Sequence, residues 1–217
     1  MKAVVLLSGG LDSTTCLGIA KDEGYTCYPL TFEYGQRHSK EIACAKKIVS
    51  YYDLNDKYKI ISLDFFKLFA NNSLINKEIM PNTSGLSKGI PNTYVPARNL
   101  IFLSIAAGYA KNINADTLFL GVSAVDYSGY PDCRKEFIAS FMQTVQLALP
   151  TKLTIKAPLV DLSKSQTISL GLKLKVPYHL TTSCYFGAKK ACGKCDSCIL
   201  RLKGFKDLGL KDPISYS

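Results

Sequence analysis

The sequence predicts an α/β protein built on a doubly wound, mostly parallel sheet, with a cysteine-rich element at its C-terminal end. Short β-branched and aliphatic runs alternate with helix-compatible segments along most of the chain, and a glycine turn follows the first such run. Parallel strands require crossover connections, and repeated right-handed crossovers place helices on both faces of a sheet. Four cysteines then gather in the segment 184–198.

The elements follow in a regular order. We predict strands over 2–7, 26–34, 59–63, 116–122 and 153–157, and helices over 14–23, 39–52, 99–111, 135–149 and 163–172. Ser163 is expected to cap the last of these helices. The segment 65–94 has no clear period and is interpreted as an excursion or lid. Residues 1–182 are predicted to form the main domain, and 183–217 a cysteine-rich tail that packs on it.

Composition excludes several classes of protein. The chain has 217 residues with 47% hydrophobic content, which is sufficient for one sizeable core without disulfides. No apolar run approaches the roughly 18 residues of a membrane span, so we expect a cytoplasmic protein with no membrane partner. The net charge of +10 is spread along the chain, which favours anionic substrates over direct tRNA binding.

A candidate phosphate site lies between the first strand and the first helix. It consists of Ser8, Gly9, Gly10, Leu11, Asp12, Ser13 and Thr14. Two glycines allow close approach of the backbone to an anion, hydroxyls can donate to it, and the helix N-terminus adds partial positive charge. Asp12 either caps the helix or holds a magnesium ion that bridges phosphates.

This loop has neither the Gly-Lys-Ser/Thr of a Walker A loop nor the glycine spacing of a dinucleotide loop. The string resembles the PP-loop of the ATP pyrophosphatase superfamily, also called adenine-nucleotide α-hydrolase-like, whose members cleave ATP between the α- and β-phosphates and adenylate a substrate. The resemblance implies a phosphate-contacting lysine in a later strand-to-helix turn, which matches Lys164. Arg98 starts a buried helix, where either a bound anion or an internal carboxylate would satisfy its charge.

The clustered cysteines Cys184, Cys192, Cys195 and Cys198 predict a zinc knuckle. Four thiolates complete the tetrahedral shell of a structural zinc, and the two C-x-x-C turns let paired sulfurs face one ion. An iron–sulfur cluster also accepts four thiolates, and a redox C-x-x-C pair leaves the fourth cysteine without a role. Zinc is therefore favoured.

Several segments together resemble the 7-cyano-7-deazaguanine synthase family: the PP-loop, 32–38, 94–99, 126–134 and 183–201. The resemblance covers essentially the whole chain. It implies that ATP drives 7-carboxy-7-deazaguanine and ammonia to the nitrile through adenylated intermediates, in the pathway to queuosine, and that the protein is a homodimer. No single residue is assigned as catalytic.

The substrate would be held by residues of two loops. The base edge presents N–H donors, so Asp126 or Asp132 is its expected partner, and Tyr130 is placed beside the ring. Gln36, Arg37 and His38 follow the second strand, where Arg37 could hold a carboxylate or phosphate. A plain polar surface turn remains an alternative for the segment 126–134.

Two other functions stay open on the sequence. A PP-loop enzyme that thiolates tRNA would need cysteines to handle sulfur. A zinc-knuckle module that binds nucleic acid without catalysis would leave the PP-loop unexplained.

Overall fold

The computed structural model describes residues 1–37, 39–125 and 129–217. These residues form five strands and six α-helices. The strands are β1 (Lys2–Leu6), β2 (Thr26–Glu33), β3 (Lys59–Ser62), β4 (Thr117–Phe119) and β5 (Thr154–Lys156). The helices are α1 (Leu11–Asp22), α2 (Lys40–Tyr51), α3 (Arg98–Asn112), α4 (Lys135–Ala148), α5 (Lys164–Lys173) and α6 (Asp196–Asp207).

The five strands form one parallel sheet in the order β3-β2-β1-β4-β5. From β1 the chain moves outward through β2 to β3, and it then returns to β4 on the other side of β1 and continues to β5. This is the doubly wound arrangement that the alternating pattern predicts. Strands buried on both faces need apolar residues at successive positions, which the run from Ala3 to Leu7 supplies.

Helices cover both faces of the sheet. Val4 and Leu6 pack with residues of α3 and α4, among them Leu103 and Phe141. The alternate residues of β1, including Val5, pack with α1 and α2. Because successive strand side chains point to opposite faces, one strand contributes to two separate cores.

The structure differs from the predicted elements at two places. Helix α1 begins at Leu11, three residues before the predicted start, because Gly10 already occupies the N-cap position. Strand β4 has three residues instead of seven. Just beyond its end, Gly121 passes close to the start of α1, since a Cβ there would lie 2.9 Å from the Cα and the backbone nitrogen of Ser13.

Helix α6 is not among the predicted elements, because 183–217 is predicted only as a cysteine-rich tail. It packs on α5, and a Cβ on Gly204 would lie 2.8 Å from the side chains of Ile168 and Lys164. Arg201 of α6 is 1% exposed. Its guanidinium donates to both carboxylate oxygens of Asp212, at 2.7 and 3.0 Å, and thereby ties the helix to the C-terminal segment. The division at residue 182 stays a prediction.

The segment 65–94 has no strand or α-helix and is held by polar contacts. The guanidinium of Arg37 donates to the backbone carbonyls of Asn76, Lys77 and Ile79 at 2.9 to 3.4 Å. At its other end the Ser87 hydroxyl donates to Asp196 at 2.7 Å. The excursion is thus attached both to the end of β2 and to α6. No helix of the described residues is long and apolar enough to cross a membrane.

Packing at Gly171 of α5 gives a test of the fold. A Cβ at this position would lie 1.8 Å from the Tyr178 hydroxyl, which also bonds Thr15 at 2.8 Å. We expect Gly171→Ala to lower the free energy of unfolding by about 1–3 kcal/mol because the tyrosine must move.

The matched control is Gly108→Ala in α3, where an added Cβ meets no atom within 4 Å. This change should be neutral or raise stability by up to about 1 kcal/mol, since alanine favours a helix interior. Urea unfolding of both variants measures the difference. Equal stabilities of the two variants would contradict the packing at Gly171.

Candidate functional site

A cavity of about 320 Å³ opens at the carboxyl ends of β1 and β4. Ligands of open α/β sheets bind at such a point, because the connections that follow two adjacent strands leave in opposite directions. Both polar and aromatic residues line the cavity. The polar group includes Ser8, Asp12, Ser13, Gln36, Glu41, Arg98, Asn99, Ser123, Lys164, Ser183, Ser197 and Arg201, and the aromatic group Phe32, Tyr34, Phe102, Tyr130 and Tyr185.

The glycine turn after β1 is fixed by close packing. Gly9 has φ +85°, and a Cβ there would lie 2.3 Å from the Glu41 carbonyl oxygen at the start of α2. Its own carbonyl oxygen accepts a hydrogen bond from the backbone of Thr182 at 3.0 Å. Only glycine fits both the backbone conformation and the space, so this turn has one geometry.

Hydroxyls and free amides of the loop face the cavity. The hydroxyls of Ser8 and Ser13 lie 3.0 Å apart, and the Ser8 hydroxyl accepts from the Gly10 amide at 3.2 Å. Gly10 is the N-cap of α1 and provides no side-chain cap for the first turn. The amides of that turn are therefore left for a ligand, and the helix N-terminus favours an anion.

Two residues of the predicted loop have mainly structural contacts. The Thr14 hydroxyl donates to the Gly10 carbonyl at 2.7 Å, and the residue is fully buried and does not line the cavity. Leu11 lines the cavity, but its side chain packs with Ile168 and Phe205. Thr14 shapes the helix start, whereas Leu11 joins the loop to α5 and α6.

Three cationic residues line the cavity: Arg98, Lys164 and Arg201. Lys164, in the first turn of α5, donates to both carboxylate oxygens of Asp12 at 2.6 and 2.7 Å. Ser163 caps α5, as predicted, through reciprocal bonds with Gln166. Arg98 begins α3 and lies over the ring of Tyr34, 5.9 Å from its centroid. Both cations that the sequence singles out are thus at one site, although they come from distant segments.

The aromatic side of the cavity is a packed wall. Phe32 and Phe102 stack with ring centroids 4.2 Å apart, and Tyr34 packs against Phe102 at 5.4 Å. The Tyr130 hydroxyl hydrogen-bonds that of Thr93 at 2.5 Å and lies 3.3 Å from that of Tyr185. Flat apolar surfaces of this kind suit a planar heterocycle.

Some of the predicted substrate residues line the cavity and others do not. Tyr130 lines the cavity. Gln36 also lines it, but its amide accepts from the Tyr34 backbone and donates to that of Phe32, which closes the turn after β2. Arg37 does not line it, because its guanidinium is used on the carbonyls of the excursion. His38 and Asp126 lie outside the described residues.

Asp132 is likewise not among the cavity-lining residues. Its carboxylate accepts from the Asn99 backbone at 3.0 Å, and the Asn99 amide donates to the Asp132 carbonyl at 3.1 Å. These two bonds, both donated by Asn99, stabilise the first turn of α3 and so fix Arg98. The contacts of Arg37 and Asp132 give no support to direct contact with substrate.

Glu41 is a cavity residue that sequence reasoning misses. It lies in the first turn of α2 and lines the cavity. Burial raises the pKa of its carboxyl to about 7, and the Arg98 charge acts in the opposite direction. No local signal distinguishes this glutamate, since an acidic residue in a helix first turn is ordinary.

The four clustered cysteines form a candidate metal centre. Their sulfurs all lie within 4.8 Å of one another, and those of Cys192 and Cys198 are 4.0 Å apart. A zinc ion about 2.3 Å from each sulfur of a tetrahedron requires sulfurs about 3.8 Å apart. Backbone amides of Lys194 and Cys195 donate to the Cys192 sulfur at 3.4 and 3.3 Å. The residues therefore fit a single bound metal ion, consistent with zinc.

Solved structures with the same fold include NMN synthetase from Francisella tularensis. It is 18% identical, with a TM-score of 0.57, and the match covers 97% of this chain and 78% of that one. A 4-thiouridine synthetase in complex with RNA and ATP is also 18% identical, with a TM-score of 0.52, over 96% of this chain and 51% of that one. At such identities the likeness concerns the fold alone.

Curated relatives are much more similar in sequence. A protein from Oceanobacillus iheyensis named 7-cyano-7-deazaguanine synthase is 56% identical over 99% of this chain and 98% of its own length. One of the same name from Legionella pneumophila is 53% identical over 99% of this chain and 96% of its own. The model of the family described as queuosine biosynthesis protein QueC matches residues 2–209. These matches show that the protein belongs to the QueC family of queuosine biosynthesis.

Proposed function

We propose that this protein is a 7-cyano-7-deazaguanine synthase, a ligase that uses ATP to convert 7-carboxy-7-deazaguanine and ammonia to the nitrile. The observation that carries the proposal is that a phosphate-binding loop and an aromatic wall share one cavity. Relatives of that name, at 56% and 53% identity, support the choice of substrate.

The phosphates of ATP would lie against the start of α1. We assign their binding to the segment 8–14, in which Ser8, Ser13 and the first-turn amides donate hydrogen bonds, while the glycines and Thr14 hold the loop. Lys164 and Arg98 would add positive charge from opposite sides. Fixed charges of this kind stabilise pyrophosphate as it departs.

Asp12 is the residue that would hold magnesium. Its carboxylate lies beside the loop and is 30% exposed, and Mg²⁺ prefers oxygen ligands with several retained waters. When bound, the ion would neutralise charge on the phosphates. The Lys164 ammonium that now pairs with Asp12 would then be available to a phosphate oxygen.

The chemistry needs two adenylations. A carboxylate oxygen of the substrate attacks the α-phosphorus of ATP, the bond to pyrophosphate breaks, and an acyl adenylate forms. Ammonia adds to the acyl carbon, AMP leaves, and loss of a proton gives the amide. The amide oxygen attacks the α-phosphorus of a second ATP, the bond to pyrophosphate breaks, and loss of AMP and two protons then gives the nitrile. The chain's task is to align the attacking oxygen with the α-phosphorus, which is positioning and electrostatic work.

The deazapurine would occupy the aromatic side of the cavity, beside Tyr130. Gln36 is proposed to contact it while closing the turn after β2. We propose that Arg37 and Asp132 act indirectly, through the excursion and through α3 respectively. Roles for His38 and Asp126 at the substrate also remain proposals.

The metal centre is proposed to be a structural zinc site. Four thiolates complete the shell of the ion and leave no position for a substrate. Its role would be to hold α6, since Cys195 is the N-cap of that helix and Cys198 lies in its first turn. Helix α6 in turn contributes Ser197 and Arg201 to the cavity lining.

Thiolation of tRNA receives no support from the cavity cysteines. Among the described lining residues Cys133 is the single cysteine, and burial, followed by the charge of Asp132, raises the pKa of its thiol to about 12. A thiol held protonated is a poor nucleophile. With the clustered sulfurs assigned to zinc, no pair of thiols is left at this site for sulfur transfer.

We further propose a cytoplasmic homodimer. The use of ATP and reduced thiols supports the location. Several exposed large apolar side chains lie in the excursion, and a second copy that covers them would remove them from water. They are Phe65, Leu68, Met80, Leu86 and Ile90.

Direct assay tests the proposed reaction. Purified protein with Mg-ATP, ammonium and 7-carboxy-7-deazaguanine should yield the nitrile by mass spectrometry, with two AMP and two pyrophosphate per nitrile by chromatography. AMP without nitrile would contradict the substrate, and absence of AMP from metal-loaded, folded protein would contradict the adenylating mechanism.

The phosphate loop can be tested by Ser13→Ala. Loss of one fixed donor should lower kcat for AMP release by about 100-fold or more. The fold should be retained, which a melting curve checks. Ser104→Ala on the exposed surface of α3 is the matched control and should keep full activity. Unchanged turnover in Ser13→Ala would exclude the placement of the phosphates.

The metal centre can be tested by Cys192→Ser. Binding energy at a structural zinc site contributes to folding, so the variant should lose metal and solubility. Cys44→Ala, which leaves the four clustered sulfurs intact, should retain about one zinc per chain by elemental analysis. A soluble, zinc-containing Cys192→Ser protein would count against the assignment.

A further inference from the structure

We propose that Glu41 reads the donor edge of the deazaguanine, accepting hydrogen bonds from its ring N1–H and its 2-amino group. This inference rests on the proposed function and adds a specificity-determining residue to it. It names Glu41, in place of Asp132, as the carboxylate that faces the base.

The position of Glu41 points to a ligand. The residue lies in the first turn of α2 and lines the cavity, next to the phosphate loop and the aromatic wall. Within residues 1–37, 39–125 and 129–217, its carboxylate has no hydrogen-bond or ion-pair partner. Its oxygens are reached by solvent, since the residue is half-buried, so a ligand with paired N–H donors can take the place of the water that solvates them.

The other acidic groups near the cavity are already engaged. Asp12 pairs with Lys164 beside the phosphate loop, at 2.6 Å. Asp132 accepts from the backbone at the start of α3 and does not line the cavity. Of the described lining residues, Asp12 and Glu41 are the two with carboxylates, and Glu41 is the one that is not paired.

A carboxylate at this position distinguishes the deazaguanine ring from the adenine ring of ATP. The guanine-type edge carries two adjacent N–H donors, which a carboxylate accepts in bidentate fashion. Adenine presents the lone pair of its N1 in the corresponding place, which the charge of Glu41 repels. The glutamate would thus favour the deazaguanine over the adenine of ATP on its side of the cavity, and the ATP ring would be directed elsewhere.

The electrostatic surroundings agree with this role. Burial raises the pKa of the Glu41 carboxyl to about 7, while Arg98 lowers it. Among the described residues, the charge of Glu41 also acts on the Tyr34 phenol and the Cys44 thiol, both with pKa values raised chiefly by burial. Two donors from a bound base would favour the ionised carboxylate and strengthen the contact.

Calorimetry can test the assignment without turnover. Protein is loaded with magnesium and the α,β-methylene analogue of ATP, which resists cleavage, and titrated with 7-carboxy-7-deazaguanine. We expect Glu41→Gln to bind this acid about 10- to 100-fold more weakly, because a charged acceptor is lost. Glu33→Gln, at the exposed end of β2, is the matched control and should bind as the wild type does.

A second ligand adds a measurement on the wild-type protein itself. The analogue that lacks the 2-amino group should bind the wild type at least about tenfold more weakly than the parent acid. Glu41→Gln should distinguish the two ligands much less. Variant binding equal to that of the wild type, or equal discrimination by both proteins, would overturn the inference. So would a fall in kcat with unchanged KM for the acid, which would indicate proton transfer instead.

Failure of the inference and failure of the proposed function are distinguishable. Nitrile formed by wild-type protein, with acid binding unaffected in Glu41→Gln, refutes the role of Glu41 and keeps the reaction. Glutamate-dependent binding of the acid without nitrile formation refutes the reaction and keeps the recognition. Wild-type protein that does not bind the acid refutes both.

Discussion

The divergence of the chain at the carboxyl ends of β1 and β4 is the constraint on which the rest of the structure depends. These strands are neighbours in a parallel sheet, yet one leads to β2 and the other to β5, on opposite sides. Parallel pairing obliges each connection to cross back over the sheet, so the two connections leave a crevice between them. Arg98, Lys164 and the phosphate loop come together because each segment begins or ends beside this crevice.

Close backbone contacts give the crevice its shape. Gly9 packs against the start of α2, and Gly121 packs against the start of α1 at Ser13. Both contacts remove the space for a side chain, and both hold helix N-termini near the end of β1. Free amides are thereby directed at one point, which is where an anion is bound most readily. The geometry of the proposed phosphate site is therefore a consequence of packing as well as of loop composition.

The metal centre and the cavity are mechanically linked. The clustered cysteines fix the first turn of α6, and that helix contributes Ser197 and Arg201 to the cavity wall. Asp196, in the same turn, binds Ser87 of the excursion, whose other end is held by Arg37. A metal ion bound by these cysteines would thus influence the substrate side of the cavity, because residues 65–94 and the cavity residues Ser197 and Arg201 are attached to the same helix.

The sequence by itself determined the sheet, the glycine loop and the four-cysteine site, because each depends on local pattern. Apolar runs with intervening helices specify parallel strands, and the two C-x-x-C turns bring sulfurs together within a few residues. The family resemblance also follows from such contiguous motifs, and the family matches confirm it.

Only the tertiary structure decided which polar residues reach the cavity. Arg37 and Asp132 stand in plausible loops, but the first binds the carbonyls of the excursion and the second the start of α3. Glu41 carries no local signal and faces the cavity because α2 begins beside Gly9. The existence of α6 likewise depends on contacts with residues far away in the chain. A side chain's partner is set by the packing of whole elements, and spacing along the sequence does not contain that information.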